Sequence, residues 1–147
     1  MLEYSVYFML CVGTFLVNSV PALVLFDSGA SRCFVSLAFS QHISISREAL
    51  SRPLRVSIAD ERAVYATEVI QGCVLEVLCV DFPIDLVPIA MGDVCVIVGM
   101  DWLSRVGAVI NCERQLVTIR DPSGGVLMVY GEGTCFGSAF CLAAIVR

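Results

Sequence analysis

The residues of this chain best suited to chemistry stand together at Asp27-Ser28-Gly29-Ala30, directly after the apolar run Val24-Leu25-Phe26. A short β-rich run bounded by turn residues reads as a buried strand, which puts Asp27 at a strand end. Gly29 permits the close backbone approach that turns an N–H toward the Asp27 oxygens, and the Ser28 hydroxyl can donate or accept a hydrogen bond beside it. Such a group suits acid–base work by a carboxyl. Taken alone, the same four residues also describe a strand leaving a sheet through an Asp-Ser-Gly turn.

Other reactive residue types offer less. Asp101 is the second carboxylate to weigh, but no Ser/Thr-Gly follows it, and it reads as the cap of a short helix carrying Trp102 and Leu103 that stops at Gly107. The single histidine, His42, has no cysteine at metal-ligand spacing and reads as a surface residue. The eight cysteines, at 11, 33, 73, 79, 95, 112, 135 and 141, never form Cys-x-x-Cys, so no metal site is expected and buried reduced thiols are the default. The net charge is −5, and the nine basic residues are all arginines dispersed along the chain, which leaves no stripe for nucleic acid.

The elements that must position Asp27 follow from patterning. Residues 14–17 and 22–26 are β-rich and joined by Asn18-Ser19-Val20-Pro21, a hairpin feeding directly into Asp27. Residues 33–35 suit a short strand, and Ser36 can cap a helix over 37–42. Residues 44–53 read as a loop, after which 54–59 and 63–67 alternate around Asp60-Glu61-Arg62 as a projecting hairpin. Strands over 72–80 and 82–89 turn at Asp81, and Pro83 confines its strand position to an edge, a bulge or a strand start. The run 94–98 is continuously apolar, hence a buried strand ended by Gly99. Residues 108–110, 116–120 and 126–130 finish the sheet, with Asp121-Pro122-Ser123-Gly124-Gly125 as a turn. Many short strands with Gly/Pro punctuation and little helix predict an all-β, barrel-like domain.

At 147 residues the chain suits one domain. Hydrophobic residues make up 58% and residues 4–26 carry no charge, so a membrane span has to be considered. The Asn18-Ser19-Val20-Pro21 cluster reads as a turn rather than the middle of a spanning helix, so no membrane partner is expected. No basic residue precedes Arg32, which does not support a secretory signal.

In order and spacing, several segments together resemble the aspartic protease of plant-type gypsy LTR retrotransposons, a retropepsin-like protease. They are Gly13-Thr14-Phe15-Leu16-Val17, Asn18-Ser19-Val20-Pro21-Ala22, Val24-Leu25-Phe26-Asp27-Ser28-Gly29-Ala30-Ser31, the following Arg32-Cys33-Phe34-Val35-Ser36, Pro53-Leu54-Arg55-Val56-Ser57-Ile58-Ala59-Asp60, Val96-Ile97-Val98-Gly99-Met100-Asp101-Trp102-Leu103 and Gly107-Ala108-Val109-Ile110-Asn111-Cys112-Glu113-Arg114. The resemblance implies an acid-protease barrel with one lobe per chain over 13–133; residues 1–12 lie outside it and read as an unrelated leader or the accidental start of a truncated frame, and the apolar, poorly patterned residues 134–147 read as an interface strand or a tail. It implies Asp27 as the catalytic carboxylate, with Ser28, Gly29 and Ala30 supporting the loop. Ile58, Ala59, Asp60, Glu61 and Arg62 would form the flap over bound peptide, and Ile97, Val98 and Gly99 would frame the site. Two residues depart from the family's pattern: Glu61 stands where the flap turn usually has glycine, and Cys95 replaces a residue that is usually acidic.

Peptide hydrolysis by carboxylates needs two of them, roughly 3 Å apart and sharing a proton. A chain with one Asp-Ser-Gly is therefore expected to act as a homodimer on a peptide or polyprotein, with no cofactor, in the cytoplasm or in retroelement particles. The competing expectation is a non-catalytic interaction module or a decayed retroelement fragment of the same fold.

Overall fold

The computed structural model describes residues 10–57, 63–111, 113–131 and 145–146. The first two strands, β1 (Leu10–Val17) and β2 (Val20–Asp27), form an antiparallel hairpin paired from Val17↔Val20 to Leu10↔Asp27. Its turn is only Asn18-Ser19, both at positive φ (48° and 68°), the geometry that matches the right-handed twist of the flanking strands. Asn18 also anchors the turn elsewhere, since its N–H donates to Val74 O (2.9 Å) while its Oδ1 accepts from Val74 N–H (2.7 Å).

After Asp27 the chain turns into β3 (Phe34–Ser36) and the one-turn helix α1 (Leu37–Ser40). Ser36 caps that helix as its sequence position predicts, with Oγ accepting from Phe39 N–H at 3.0 Å. The long hairpin follows as β4 (Arg47–Ser57) and β5 (Ala63–Val77), then β6 (Val80–Ile89), β7 (Val96–Val98) and the short helix α2 (Met100–Leu103). A smaller antiparallel sheet is built from β8 (Val109–Asn111), β9 (Leu116–Arg120) and β10 (Val126–Tyr130). Finally β11 (Ile145–Val146) pairs with β4.

The main sheet has the order β1-β2-β7-β3-β6-β5-β4-β11, and a further β1–β5 pairing (Leu16↔Glu76, Val17↔Leu75) curls it back on itself. The expected all-β, barrel-like class with two short helices is what the chain adopts. At the centre, β7 lies parallel to β2 and antiparallel to β3, and all three strands are buried over their paired residues. Their alternating side chains serve two cores. Val24, Phe26, Val35, Val96 and Val98 join Trp102 on one face, while Leu25, Phe34 and Ile97 join Val56 and Ala66 on the other. Burial on both faces is why these segments read as unbroken apolar runs rather than alternating ones.

Four sequence expectations are corrected. Residues 47–53, read as loop, belong to β4, where a register shift between Ala49 and Leu54 accommodates Pro53. β5 is one continuous strand through Gly72, whose φ of +81° marks the register shift between Ile70 and Cys73. The β5–β6 turn lies at Leu78-Cys79, both at positive φ (50° and 66°), rather than at Asp81. Strands β8 to β10 form their own sheet instead of finishing the first, although their inner residues Ile110, Val117, Ile119 and Val129 pack on the same core as Trp102. Pro83 meets its restriction in another way. It pairs with Val74 of β5, and β6 reaches β3 only from Val87 onward, so its own stretch of β6 has a single neighbour.

Among the described residues Cys33 and Cys73 are buried, Cys95 is half-buried and Cys79 is exposed at its turn, where the expectation was a buried thiol. No helix of the described residues is long and apolar enough to cross a membrane.

Candidate active site

Strand β2 ends by delivering Asp27 into a tight turn: Ala30 N–H donates to Asp27 O at 3.2 Å, and Gly29 N–H donates to Asp27 Oδ1 at 2.7 Å. The carboxyl group is fully buried (0% exposed), and its Oδ2 has no hydrogen-bond partner. Burial disfavours the charged form and outweighs the Gly29 bond that favours it, so the Asp27 pKa is pushed up to about 6. The result is a carboxyl group that exchanges its proton near neutrality, with one oxygen held and the other uncommitted.

The turn is braced from below by the end of β7. Leu25 and Phe26 pair with Ile97 and Val98, which places Gly99 under the residues that follow Asp27. A Cβ at Gly99 would sit 2.2 Å from Arg32 O and 2.6 Å from Ala30 O, so only glycine lets the two backbones come this close. The first turn of α2 then donates into the loop, Met100 N–H to Ala30 O (2.7 Å) and Asp101 N–H to Ser31 O (3.1 Å). Beneath them Trp102 is fully buried, tilted against Phe26 (6.2 Å between ring centroids) and edge-on to Phe82 (5.4 Å).

The expected residues thus fall into two groups. Asp27, Ser28, Gly29 and Ala30 form the turn, with Ile97, Val98 and Gly99 beside and under it. Ile58, Ala59, Asp60, Glu61 and Arg62 lie outside the described residues, but the arms that carry them pair up to Ser57↔Ala63. Cys95 has its backbone tied on both sides, its N–H donating to Leu23 O and its O accepting from Ser36 N–H, both at 2.9 Å. His42 is exposed, its ring tilted against Phe39 with 5.6 Å between centroids.

Sequence reasoning misplaced one residue and missed another. Asp101 is not the cap of α2: the capping position is Gly99, with no side-chain bond, and Asp101 sits inside the first turn. Its Oδ1 accepts from the Cys33 thiol at 2.9 Å, and Cys33 Sγ in turn accepts from Gly99 N–H at 3.3 Å. Nothing in the spacing of Cys33 and Asp101, which are 68 residues apart, announces that contact. The one available signal was that each borders a segment already singled out, the Asp27 turn and the Ile97-Val98-Gly99 run. Among the described residues no group of His, Cys, Asp and Glu is arranged to hold a metal ion.

A small curled β-sheet that presents one buried carboxyl on an Asp-Ser-Gly turn, braced by an apolar strand ending in glycine, is the architecture of a single-lobed aspartic protease. The chain belongs to the retroviral aspartyl protease family, whose model matches residues 6–124. Its fold is similar to the retroviral protease-like domain of Ddi1 from Leishmania major, with a TM-score of 0.57 at 15% identity, covering 82% of this chain and 94% of that one. The EIAV protease in complex with an inhibitor is also similar, at 17% identity with a TM-score of 0.49, covering 68% of this chain and 90% of that one. No curated protein sequence matches the chain significantly.

Proposed function

We propose that the chain is an aspartic endopeptidase that acts as a homodimer, hydrolysing peptide bonds by a water activated between two Asp27 carboxyls. The observation that carries this reading is the state of Asp27: one oxygen is held by Gly29 N–H, the other is unpartnered, and the pKa is lifted to about 6. A carboxyl so placed is suited to share a proton with a twin, and the sequence contains one Asp-Ser-Gly. With one carboxyl ionised, the pair can take a proton from water while the protonated partner donates to the carbonyl oxygen of the peptide.

In this reading Ser28 steadies the opposing turn, and the β4–β5 hairpin, with Ile58 to Arg62 at its tip, covers an extended peptide bound as an added strand. The gypsy-type sequence pattern makes a retroelement polyprotein the favoured substrate, processed in the cytoplasm or in particles. Residues 13–133 would be the working domain.

Assembly supplies the test. Below the dimer dissociation constant, cleavage of a peptide library should rise more steeply than linearly with protein concentration, in step with dimer measured by sedimentation. Constant specific activity from a monomer would overturn the homodimer mechanism.

The second reading, a non-catalytic module of the same fold, draws on the full burial of Asp27 in the single chain. A dimer that forms well and cleaves nothing from pH 3 to 8, roughly the span of a carboxyl dyad, would favour it.

A further inference from the structure

The turn that holds Asp27 is made of small residues and has no bulky side chain to lock it, so its position depends on what the next few residues are tied to. Backbone ties come from α2, at Ala30 O and Ser31 O. The side-chain tie is the chain Asp101 Oδ1, Cys33 Sγ, Gly99 N–H, in which the thiol donates at 2.9 Å and accepts at 3.3 Å. Cys33 is 1% exposed, whereas Asp101 is exposed. A buried cysteine that served only as a small apolar filler would leave these two polar groups to other partners. Here the thiol uses both its donor and its acceptor, and it spans the two segments whose separation sets the height of the Asp27 turn.

Resting on the proteolytic reading above, the geometry points to Cys33 and Asp101 as positioning residues: together they pin the segment after Asp27 to the start of α2 and hold the carboxyl at the height its twin requires. The thiol remains a donor throughout the acid range, because burial and then the neighbouring Asp101 charge both raise its pKa well above the usual value. Neither residue touches the reacting atoms. Their effect is on placement, to which rate is far more sensitive than affinity for a long peptide.

The experiment uses the full chain with a cleaved peptide and compares Cys33→Ala, Cys33→Ser, Asp101→Ala and the double variant Cys33→Ala/Asp101→Ala. Each alanine variant should lower kcat roughly tenfold while KM stays within about twofold, because misplacement costs turnover before binding. The double variant should be no worse than either single one, since both remove the same tie. Serine keeps a donor and an acceptor and should recover most of the loss. Wild-type kcat in Cys33→Ala, multiplying losses in the double variant, or a serine variant as poor as alanine would each overturn the proposal.

A second measurement is independent of activity. Amide hydrogen exchange of the native protein, read by mass spectrometry on peptides covering residues 28–35, should be several-fold faster in Cys33→Ala and in Asp101→Ala than in wild type, as the tie no longer holds the segment closed. Unchanged exchange would overturn the clamp even in a protein that cleaves nothing, whereas faster exchange in such a protein would keep the clamp and reject the proteolytic reading.

Discussion

Two parts of this molecule are built from the same kind of element to opposite ends. The β2–β7–β3 centre pairs strands over a few residues only, β3 and β7 being 3 residues long, with the paired side chains buried on both faces of the sheet. The β4–β5 hairpin pairs strands of 11 and 15 residues, yet β4 buries only Val56, and β5 on its way to Ile70 buries Ala66 and Val69. Length is therefore not what makes a strand rigid here. The short strands cannot move without opening two cores, while the long arms can bend at their register shifts with little loss of packing. The carboxyl group sits on the first kind of structure, and the arms expected to cover substrate are the second.

That contrast can be broken most severely at Asp27. Asp27→Asn is nearly isosteric and should keep the turn, but it removes the proton exchange, and cleavage should fall by about 10⁴-fold or to background with the circular dichroism spectrum unchanged. Wild-type turnover in this variant would end the proteolytic reading. Next in size is Gly99→Ala: its Cβ would meet Arg32 O and Ala30 O, both backbone atoms that cannot swing aside. Overpacking of this kind should cost about 3 kcal/mol or more in urea denaturation and abolish activity as well. An alanine variant of wild-type stability would mean that the turn is not clamped as described.

The pH dependence of stability sharpens the same point. The Asp27 pKa stands at about 6 in the fold against 3.8 for an ordinary aspartate, so below 3.8 both folded and unfolded states carry the proton and the group is neutral toward stability. As the pH rises from 3.8 to 6 the unfolded chain ionises first, and the single chain should lose about 3 kcal/mol, levelling off once the folded group ionises too. Denaturation curves at protein concentrations below assembly should show that fall in wild type and not in Asp27→Asn. Equal slopes in the two proteins would place Asp27 in a better-solvated setting.

The smallest effect belongs to the arms. Tyr65, on β5 opposite Arg55, is 65% exposed, and Tyr65→Ala should change stability by less than about 0.5 kcal/mol. A loss several times larger would show that the arm is packed against something beyond the single chain.

Much of the centre was legible in the amino-acid order because its determinants are local. An apolar run that stops at Asp-Ser-Gly-Ala can only deliver its carboxyl to a strand end, and β9 and β10 fall at residues 116–120 and 126–130 because turn residues bracket them on each side. The loop reading of 47–53 failed for the converse reason. Serines, arginines and Pro53 argue locally for a turn, but pairing with β5 supplies hydrogen bonds that no local preference encodes, and a register shift absorbs the proline. Asp101 failed likewise: an acidic residue in a first helical turn looks like a cap until a thiol 68 residues earlier in the chain is brought to 2.9 Å.

Residue types and spacing alone thus determined that one Asp-Ser-Gly turn would end a buried strand and that the fold would be β. Only the tertiary structure decided what the turn rests on. The parallel pairing of β2 with β7, the backbone contact at Gly99 and the bond between Cys33 and Asp101 join segments far apart in sequence. Their energies arise from close packing and from hydrogen bonds between groups that only the fold brings together.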